Sequence, residues 1–215
     1  MGWMYDSRKL LSKINNKYIF FWIEDHVLIS NLKYFENVVK DIITKKIDYL
    51  PYSFFHFGRS LKSVKCITTK STENICYFDL NKKNHNLICN WYTQKKLRAD
   101  FIIGAPSIFS KKLFSSLLKK RNPFLRRYNK FTPFDFEKRI KDTSWLPFLK
   151  GLPLKELFAS IDDDHNQVNY SLINRGFLKI KTNRKKYNDY INEKFSDNKK
   201  ISIIKKLIDK VKNQI

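Results

Sequence analysis

Alternating apolar and polar segments near the start of the chain predict a helix, a strand and a second helix. Ser7–Asn15 places its apolar residues on one side of a short amphipathic helix. The run Tyr18–Ile23 is too short for a core helix and has the length of a buried strand. Asn31–Ile43 again carries apolar residues at helical spacing, with Ser30 or Asn31 as its N-cap. This order is typical of an α/β domain.

The middle of the chain is predicted to be mainly extended. Short β-prone runs, separated by Lys, Asn, Ser and Thr, recur roughly every 11 residues, which fits a meander or a pair of hairpins. Asp100–Gly104 has the pattern of another buried strand, and Ile108–Lys120 that of a helix. The predicted extended segments are Ile47–Phe55, interrupted by Pro51, together with Val64–Thr69, Ile75–Leu80 and Leu87–Tyr92.

The last third of the chain begins with an irregular, proline-rich segment. Residues 121–153 hold four of the 6 prolines, with a short helix predicted after Pro133. Asp162–Asn174 follows as a helix that begins with acidic residues and is ended by Gly176. Phe177–Lys181 alternates like a closing strand.

The tail, residues 182–215, is rich in Lys and Asn and is predicted to form a basic amphipathic helix. Its apolar residues fall on one stripe: Ile201, Ile204, Leu207, Ile208, Val211 and Ile215. Two interpretations of this stripe stay open. The helix packs back on the domain, or it lies on an anionic membrane surface, where stripe burial and positive charge act together.

Composition restricts the class of protein but does not identify a function. The chain has 215 residues with 42% hydrophobic residues, enough for one globular domain with a core. Lys and Arg number 43 against 20 acidic residues, for a net charge of +23, which predicts attraction to polyanions. The three cysteines lack a C-x-x-C spacing, which favours a reducing cytoplasm. No apolar run reaches the ~18 residues of a membrane span.

Three acidic clusters stand out against this basic background. Glu24-Asp25-His26 directly follows the strand Tyr18–Ile23, Asp135 and Glu137 follow Pro133, and Asp162-Asp163-Asp164-His165 opens the later helix. Neighbouring carboxylates repel one another, so a folded protein keeps them where a cation, a helix N-terminus or proton transfer favours their charge. Carboxylates and a histidine at a strand end are suited to a divalent cation. A plain polar turn, or a helix cap for Asp162–Asp164, explains the same residues without a ligand.

The order of these motifs resembles GT-A glycosyltransferases, especially the family 2 type. In that family a helix leads into a hydrophobic strand ending in an acidic turn, and a second helix follows. The matching segments here are RKLLSKINNKY, EDH and NLKYFENVVKDI. A later strand of the family ends in Gly and a small residue, and the matching segment here is DFIIGAPSIFSKKLF. Further on, an acidic pair begins a helix that is followed by Gly and a strand, and the matching segment is DDDHNQVNYSLINRGFLKI. The resemblance covers residues 7–181.

The resemblance implies a chemistry for each cluster. Asp25 matches the ligand of a divalent metal, Mn²⁺ or Mg²⁺, assisted by Glu24 or His26; the metal bridges to the diphosphate of a nucleotide-sugar donor. Asp163 or Asp164 matches the base that takes the proton from the acceptor hydroxyl, with Asp135 and Glu137 as rivals. His165, Arg175 and Glu137 are the expected substrate-binding residues. The implied acceptor is a glycan or a lipid-linked glycan. His26 departs from the usual last acid of the turn.

The resemblance also implies a domain organisation. Residues 1–181 are expected to form a partial GT-A-like (Rossmann-like) core, a mixed sheet flanked by helices, and residues 182–215 a basic helical extension. If the apolar stripe of this extension lies on a membrane and not on the domain, we expect the surface to be the inner face of the membrane. The part of the family that holds the nucleotide base has no counterpart, so we expect an N-terminally truncated core. Two alternatives stay open: the core is active alone, or it needs the missing part. The alternative is a basic nucleic-acid-binding protein or a metal-dependent nuclease. No helix-turn-helix, zinc-finger or RNP signature supports nucleic-acid binding.

Overall fold

The structure, a computed structural model of the chain, describes residues 3–22, 25–51, 61–96, 100–102, 105–118, 138–139, 146–161 and 171–178. The chain divides into two compact units, residues 1–160 and 161–215. The first unit contains the helices and strands named below. The predicted tail helix 182–215 and the segment 121–137 lie outside the described residues.

Side-chain caps begin three of the helices in the described part of the first unit. Asn31 accepts a hydrogen bond from the Tyr34 amide at 2.8 Å, and Asn81 and Ser110 cap the next two helices in the same way. No helix within the described ranges is long and apolar enough to cross a membrane. The helices are α1 (Trp3–Leu11), α2 (Leu32–Lys45), α3 (Lys82–Gln94) and α4 (Lys111–Leu117), with a 3₁₀ turn at Val64–Cys66.

A mixed six-stranded sheet forms the centre of the first unit. The strands of the unit are β1 (Tyr18–Phe21), β2 (His26–Leu28), β3 (Tyr49–Pro51), β4 (Lys70–Ser71), β5 (Ile75–Asp79), β6 (Asp100–Ile102), β7 (Ser107–Ser110), β8 (Lys138–Arg139), β9 (Leu149–Pro153) and β10 (Phe158–Ser160). The order across the large sheet is β1-β7-β3-β9-β5-β4. The β3–β9 pair is parallel and the other neighbours are antiparallel. Two smaller pairs, β2–β10 and β6–β8, are antiparallel.

Each face of the sheet carries its own hydrophobic core, because successive strand residues point to opposite faces. Along β3 and β7, Tyr49 and Phe109 belong to the core that includes α1, α3 and α4 residues, whereas Leu50 and Ile108 belong to the core with α2. Helices therefore flank both faces. The predicted α/β class, a mixed sheet flanked by helices, is confirmed.

One charged residue, Lys150, lies inside the first core. It is 3% exposed, at the centre of β9, opposite Tyr49 on one neighbouring strand and Phe78 on the other. Its Nζ atom lies 5.5 Å from the centroid of the Tyr49 ring. Burial lowers the pKa of the Lys150 ammonium to about 7, because the apolar surroundings disfavour the charged form.

Several predicted elements are confirmed, and others are wrong. Helix α2 with its Asn31 cap, β5, and β6 fall where the pattern placed them. The predicted strand Leu87–Tyr92 is part of α3. The predicted strand Val64–Thr69 starts as a 3₁₀ turn. The predicted helix Ile108–Lys120 starts as β7 and becomes helical at Lys111, because Ser110 caps α4 there.

The strand Tyr18–Ile23 was predicted to be buried, and this is wrong. Strand β1 ends at Phe21 and, among the strands that the structure describes, is the terminal strand of the large sheet, paired with β7. Phe20 and Trp22 are each 40% exposed. A local run of apolar residues does not distinguish a central strand from an edge strand, because that depends on distant partners.

The second unit is described for Ile161 and residues 171–178 only. Ser171–Leu178 forms a turn in which Gly176 has a φ of 76° and donates its amide hydrogen to the Ile173 carbonyl at 2.9 Å. Glycine takes this left-handed conformation without the penalty that a Cβ brings. Phe177 and Leu178 form a bend where the closing strand Phe177–Lys181 was predicted. Residues 162–170 of the predicted helix lie outside the described residues.

Candidate functional site

The candidate site begins where β1 ends. After Phe21 and Trp22, Asp25 lies in a turn, and His26 opens strand β2. Glu24, between the two strands, lies outside the described residues. A turn at a strand end places side chains beyond the packed sheet, where they stay accessible to a ligand.

Asp25 and His26 form a hydrogen-bonded pair. The distance from His26 Nδ1 to Asp25 Oδ1 is 2.6 Å. The Asp25 side chain is 51% exposed, whereas that of His26 is 11% exposed. A neutral imidazole that donates its proton from Nδ1 leaves Nε2 with a free lone pair. The pair therefore presents one imidazole nitrogen and the second carboxylate oxygen, Oδ2, as acceptors or metal donors.

The β2–β10 ribbon fixes the position of His26. In its register, His26 lies opposite Ser160 and Leu28 lies opposite Phe158. Directly opposed residues project to the same face of a ribbon, so the Ser160 hydroxyl shares a face with the imidazole. In the sequence, Asp162, Asp163 and Asp164 follow Ser160 after a single residue.

An aromatic cluster of four rings, Phe20, Trp22, Phe35 and Phe158, lies on the α2 face of the sheet. The Trp22 ring meets Phe158 edge-on at 5.1 Å and Phe20 at 5.6 Å between centroids. Phe35 of α2 lies 5.6 Å from Phe158. Phe158 is 2% exposed, so the cluster runs from a fully buried ring to two rings that are open to solvent.

The structure brings together only part of the predicted residue set. Asp25 and His26 are neighbours and touch, as the prediction of a shared site requires. Arg175 lies in the second unit, half-buried, and its backbone amide donates to the Ser171 carbonyl at 3.0 Å. Glu24, Glu137, Asp163, Asp164 and His165 lie outside the described residues.

The donor set of the pair fits a divalent cation in part. Oδ2 of Asp25 is suited to a hard cation. Nε2 of His26 points away from the carboxylate that Nδ1 contacts, so the hydrogen-bonded pair offers one ion the Asp25 oxygen or the His26 nitrogen, not both. Within the described ranges, no group of three His, Cys, Asp or Glu side chains comes together. Further ligands would have to come from Glu24, from other residues beyond the described ranges, or from a substrate.

Three other charged groups of the first unit, Asp48, Asp41 and Lys111, have structural partners. Asp48 accepts hydrogen bonds from the Ser110 hydroxyl at 2.8 Å and the Leu149 amide at 3.0 Å, which ties the starts of three elements together. Asp41 of α2 accepts from the Thr72 hydroxyl at 2.6 Å. The Lys111 ammonium donates to the Ile14 carbonyl. These contacts leave Asp25 as the better candidate for ligand binding.

Sequence reasoning missed Ser160 and the exposed aromatic rings. The alternation of Phe158 and Ser160 around Ala159 is a signal for a strand, but its pairing with β2 depends on residues far apart in the chain. Phe20 and Trp22 were both assigned to a buried strand, although their i, i+2 spacing indicates a shared face.

The comparisons with known proteins leave the site to be interpreted from its own residues. No protein-family model, no curated protein and no solved structure matches the chain.

Proposed function

We propose that this chain is a GT-A-like glycosyltransferase domain that transfers a sugar from a nucleotide-diphosphate sugar to a hydroxyl acceptor in polysaccharide or glycoconjugate assembly. The observation that carries the proposal is the Asp25–His26 pair, hydrogen-bonded at 2.6 Å in an accessible turn after a hydrophobic strand. The order of helix, strand, acidic turn and second helix supports it, because α1, β1, Asp25 and α2 follow one another in that order.

In this proposal the pair binds the donor through a divalent cation, Mn²⁺ or Mg²⁺. A bound cation neutralises negative charge on the diphosphate leaving group. Asp25 would supply Oδ2 as a ligand, assisted by Glu24 or by His26. While Nδ1 of His26 is hydrogen-bonded to Asp25 Oδ1, Nε2 points away from that carboxylate, so the bond orients Asp25 and leaves Oδ2 for the cation.

The acceptor is activated by a second carboxylate. Asp163 or Asp164 takes the proton from the attacking hydroxyl. Because a different carboxylate, Asp25, binds the cation, the base and the metal ligand can hold different protonation states. His165, Arg175 and Glu137 hold the substrates. The net charge of +23 favours a donor that carries two phosphates. We place the chain in the cytoplasm, with the basic tail 182–215 as a contact to the inner membrane face.

Replacing Asp25 with asparagine is expected to weaken metal-dependent nucleotide binding at least tenfold, because an amide oxygen carries no charge for the cation. Calorimetric titration of UDP and of GDP, each with and without Mn²⁺, measures this directly. The matched control is Glu73→Gln, which changes an exposed carboxylate to an amide in the turn between β4 and β5 and leaves binding unchanged.

Two outcomes of this titration would count against the proposal. Absence of Mn²⁺-dependent binding to either nucleotide, in a folded protein, removes the donor site. If the Asp25→Asn variant binds nucleotide as tightly as the native chain, the donor site lies elsewhere. If single-stranded DNA binds instead, with an affinity that falls steeply with salt and is indifferent to Asp25→Asn, the chain is a nucleic-acid binder.

Replacing Asp163 or Asp164 with asparagine is expected to lower turnover about 100-fold while metal–nucleotide binding survives, because general-base catalysis contributes on that scale. Release of nucleotide from UDP-glucose or GDP-mannose in the presence of Mn²⁺ provides the rate. The two single variants identify which carboxylate is the base. If both variants lose folding and binding together, these residues cap a helix, and the base must be sought at Asp135 or Glu137.

A further inference from the structure

The two exposed rings of the aromatic cluster precede the polar pair in the chain by a few residues. Phe20 and Trp22 are each 40% exposed, yet both are held by ring contacts, at 5.8 Å and 5.1 Å from the buried Phe158. Rings that are fixed on one side and open on the other lose little conformational freedom when a ligand covers them.

The register of the β2–β10 ribbon places the rings and the polar groups on the same face. Phe158 and Ser160 are two residues apart, so their side chains share a face, and His26 lies opposite Ser160 on that face. Trp22 packs against Phe158. Phe158, on which both exposed rings pack, is therefore about 7 Å along the strand from the His26–Ser160 position, the rise of two residues.

This combination has the chemistry of a carbohydrate site. A pyranose ring presents C–H groups on its faces, which are apolar and complementary to the negative face of an aromatic ring. Its rim carries hydroxyls, which need hydrogen-bond partners when they leave water. The Ser160 hydroxyl, half-buried at the end of β10, both donates and accepts such bonds. Binding sites generally pair an apolar surface with a few oriented polar groups.

We infer that Phe20 and Trp22 form the subsite for a sugar residue of the acceptor, with the sugar stacked on Trp22, bordered by the Phe20 ring that is inclined to it by 65°, and its hydroxyls directed to Ser160. This assignment rests on the proposed function and makes it more specific, since it selects a glycan over a non-carbohydrate acceptor. The rings are part of the first unit and do not depend on the cation or on the nucleotide.

Glycan binding without metal or nucleotide tests the subsite. A microarray of neutral oligosaccharides identifies a ligand, and calorimetry with that oligosaccharide then compares variants. Trp22→Ala is expected to weaken binding at least tenfold, and Trp22→Phe, which keeps a ring for stacking, less than threefold. The matched control is Tyr5→Ala, which removes an aromatic ring of α1 that is 39% exposed and leaves glycan binding unchanged.

The outcomes separate this inference from the proposed function. Absence of glycan binding across the array, or full binding by Trp22→Ala, overturns the subsite even if Mn²⁺-dependent nucleotide binding is found. Metal-free stacking of UMP or GMP that is lost in Trp22→Ala also overturns it, because the rings then hold a nucleobase. Glycan binding that depends on Trp22 supports the subsite, and it does so even where nucleotide binding fails.

Discussion

Replacing Lys150 with methionine is expected to raise the free energy of unfolding at pH 7 by about 3 to 5 kcal/mol. The ammonium is 3% exposed among aromatic side chains, and burial lowers its pKa from 10.5 to about 7. Each unit of such a shift corresponds to about 1.4 kcal/mol. Methionine has a similar length and no charge, so it fills the same space without this cost.

The effect of Lys150 has a defined dependence on pH. Between about 7 and 10.5 the unfolded chain holds a proton on this amine that the folded chain has lost. Stability therefore rises with pH through that window and is constant below it as far as this group is concerned. The advantage of Lys150→Met over the native protein should shrink as the pH rises from 7 to 10.

Guanidinium unfolding followed by tryptophan fluorescence, at several pH values between 7 and 10, measures both expectations. The control is Lys40→Met, which removes one positive charge from an exposed position of α2 and corrects for the change in net charge. If Lys150→Met is less stable than the native chain at pH 7, the ammonium is held by favourable contacts, such as the Tyr49 ring at 5.5 Å, and its burial carries no net cost.

Replacing Phe109 with alanine is expected to lower the free energy of unfolding by about 3 to 5 kcal/mol, the usual range for a large aromatic residue removed from a core. Phe109 is 0% exposed in β7, between β1 and β3. Its ring stacks on Tyr49 at 4.7 Å and lies 5.1 Å from Phe114 of α4. The truncation removes both ring contacts and leaves a cavity on the face of the sheet.

Chemical denaturation of Phe109→Ala and Phe109→Leu provides the measurement. Leucine fills part of the cavity, so the free energy of unfolding of Phe109→Leu should lie between those of Phe109→Ala and the native chain. This variant remains informative if Phe109→Ala does not fold. Leu10→Ala is the surface control, because Leu10 is 62% exposed on α1 and should change stability little. Similar stabilities for Phe109→Ala and the control would show that β7 is not central to the core.

The elements that depend on near neighbours were predictable from the sequence. Helix α2 has its apolar residues at helical spacing, and the Asn31 side chain satisfies the Tyr34 amide at 2.8 Å. Helix α3 was missed because its apolar half, Leu87–Tyr92, is short and β-prone, while its first turn is polar. The buried residues His85, Ile88 and Tyr92 show the helical spacing once the Asn81 cap is included.

The candidate site was predictable in one part only. The Asp25–His26 pair could be found in the sequence, because an acidic turn after a hydrophobic run is a local signal. The edge position of β1 and the pairing of His26 with Ser160 could not, since each is decided by strands distant in the chain. The exposed rings Phe20 and Trp22 follow from the edge position and were missed with it.

The β2–β10 pairing also has a consequence for biosynthesis. It joins residue 26 to residue 160, so the surroundings of His26 are incomplete until most of the first unit has left the ribosome. Pairing across so long a loop carries a larger entropic cost than the local contacts of α2 or the β4–β5 hairpin. The Asp25–His26 turn should therefore be among the last regions of this unit to acquire its native neighbours, although it is among the first to be synthesised.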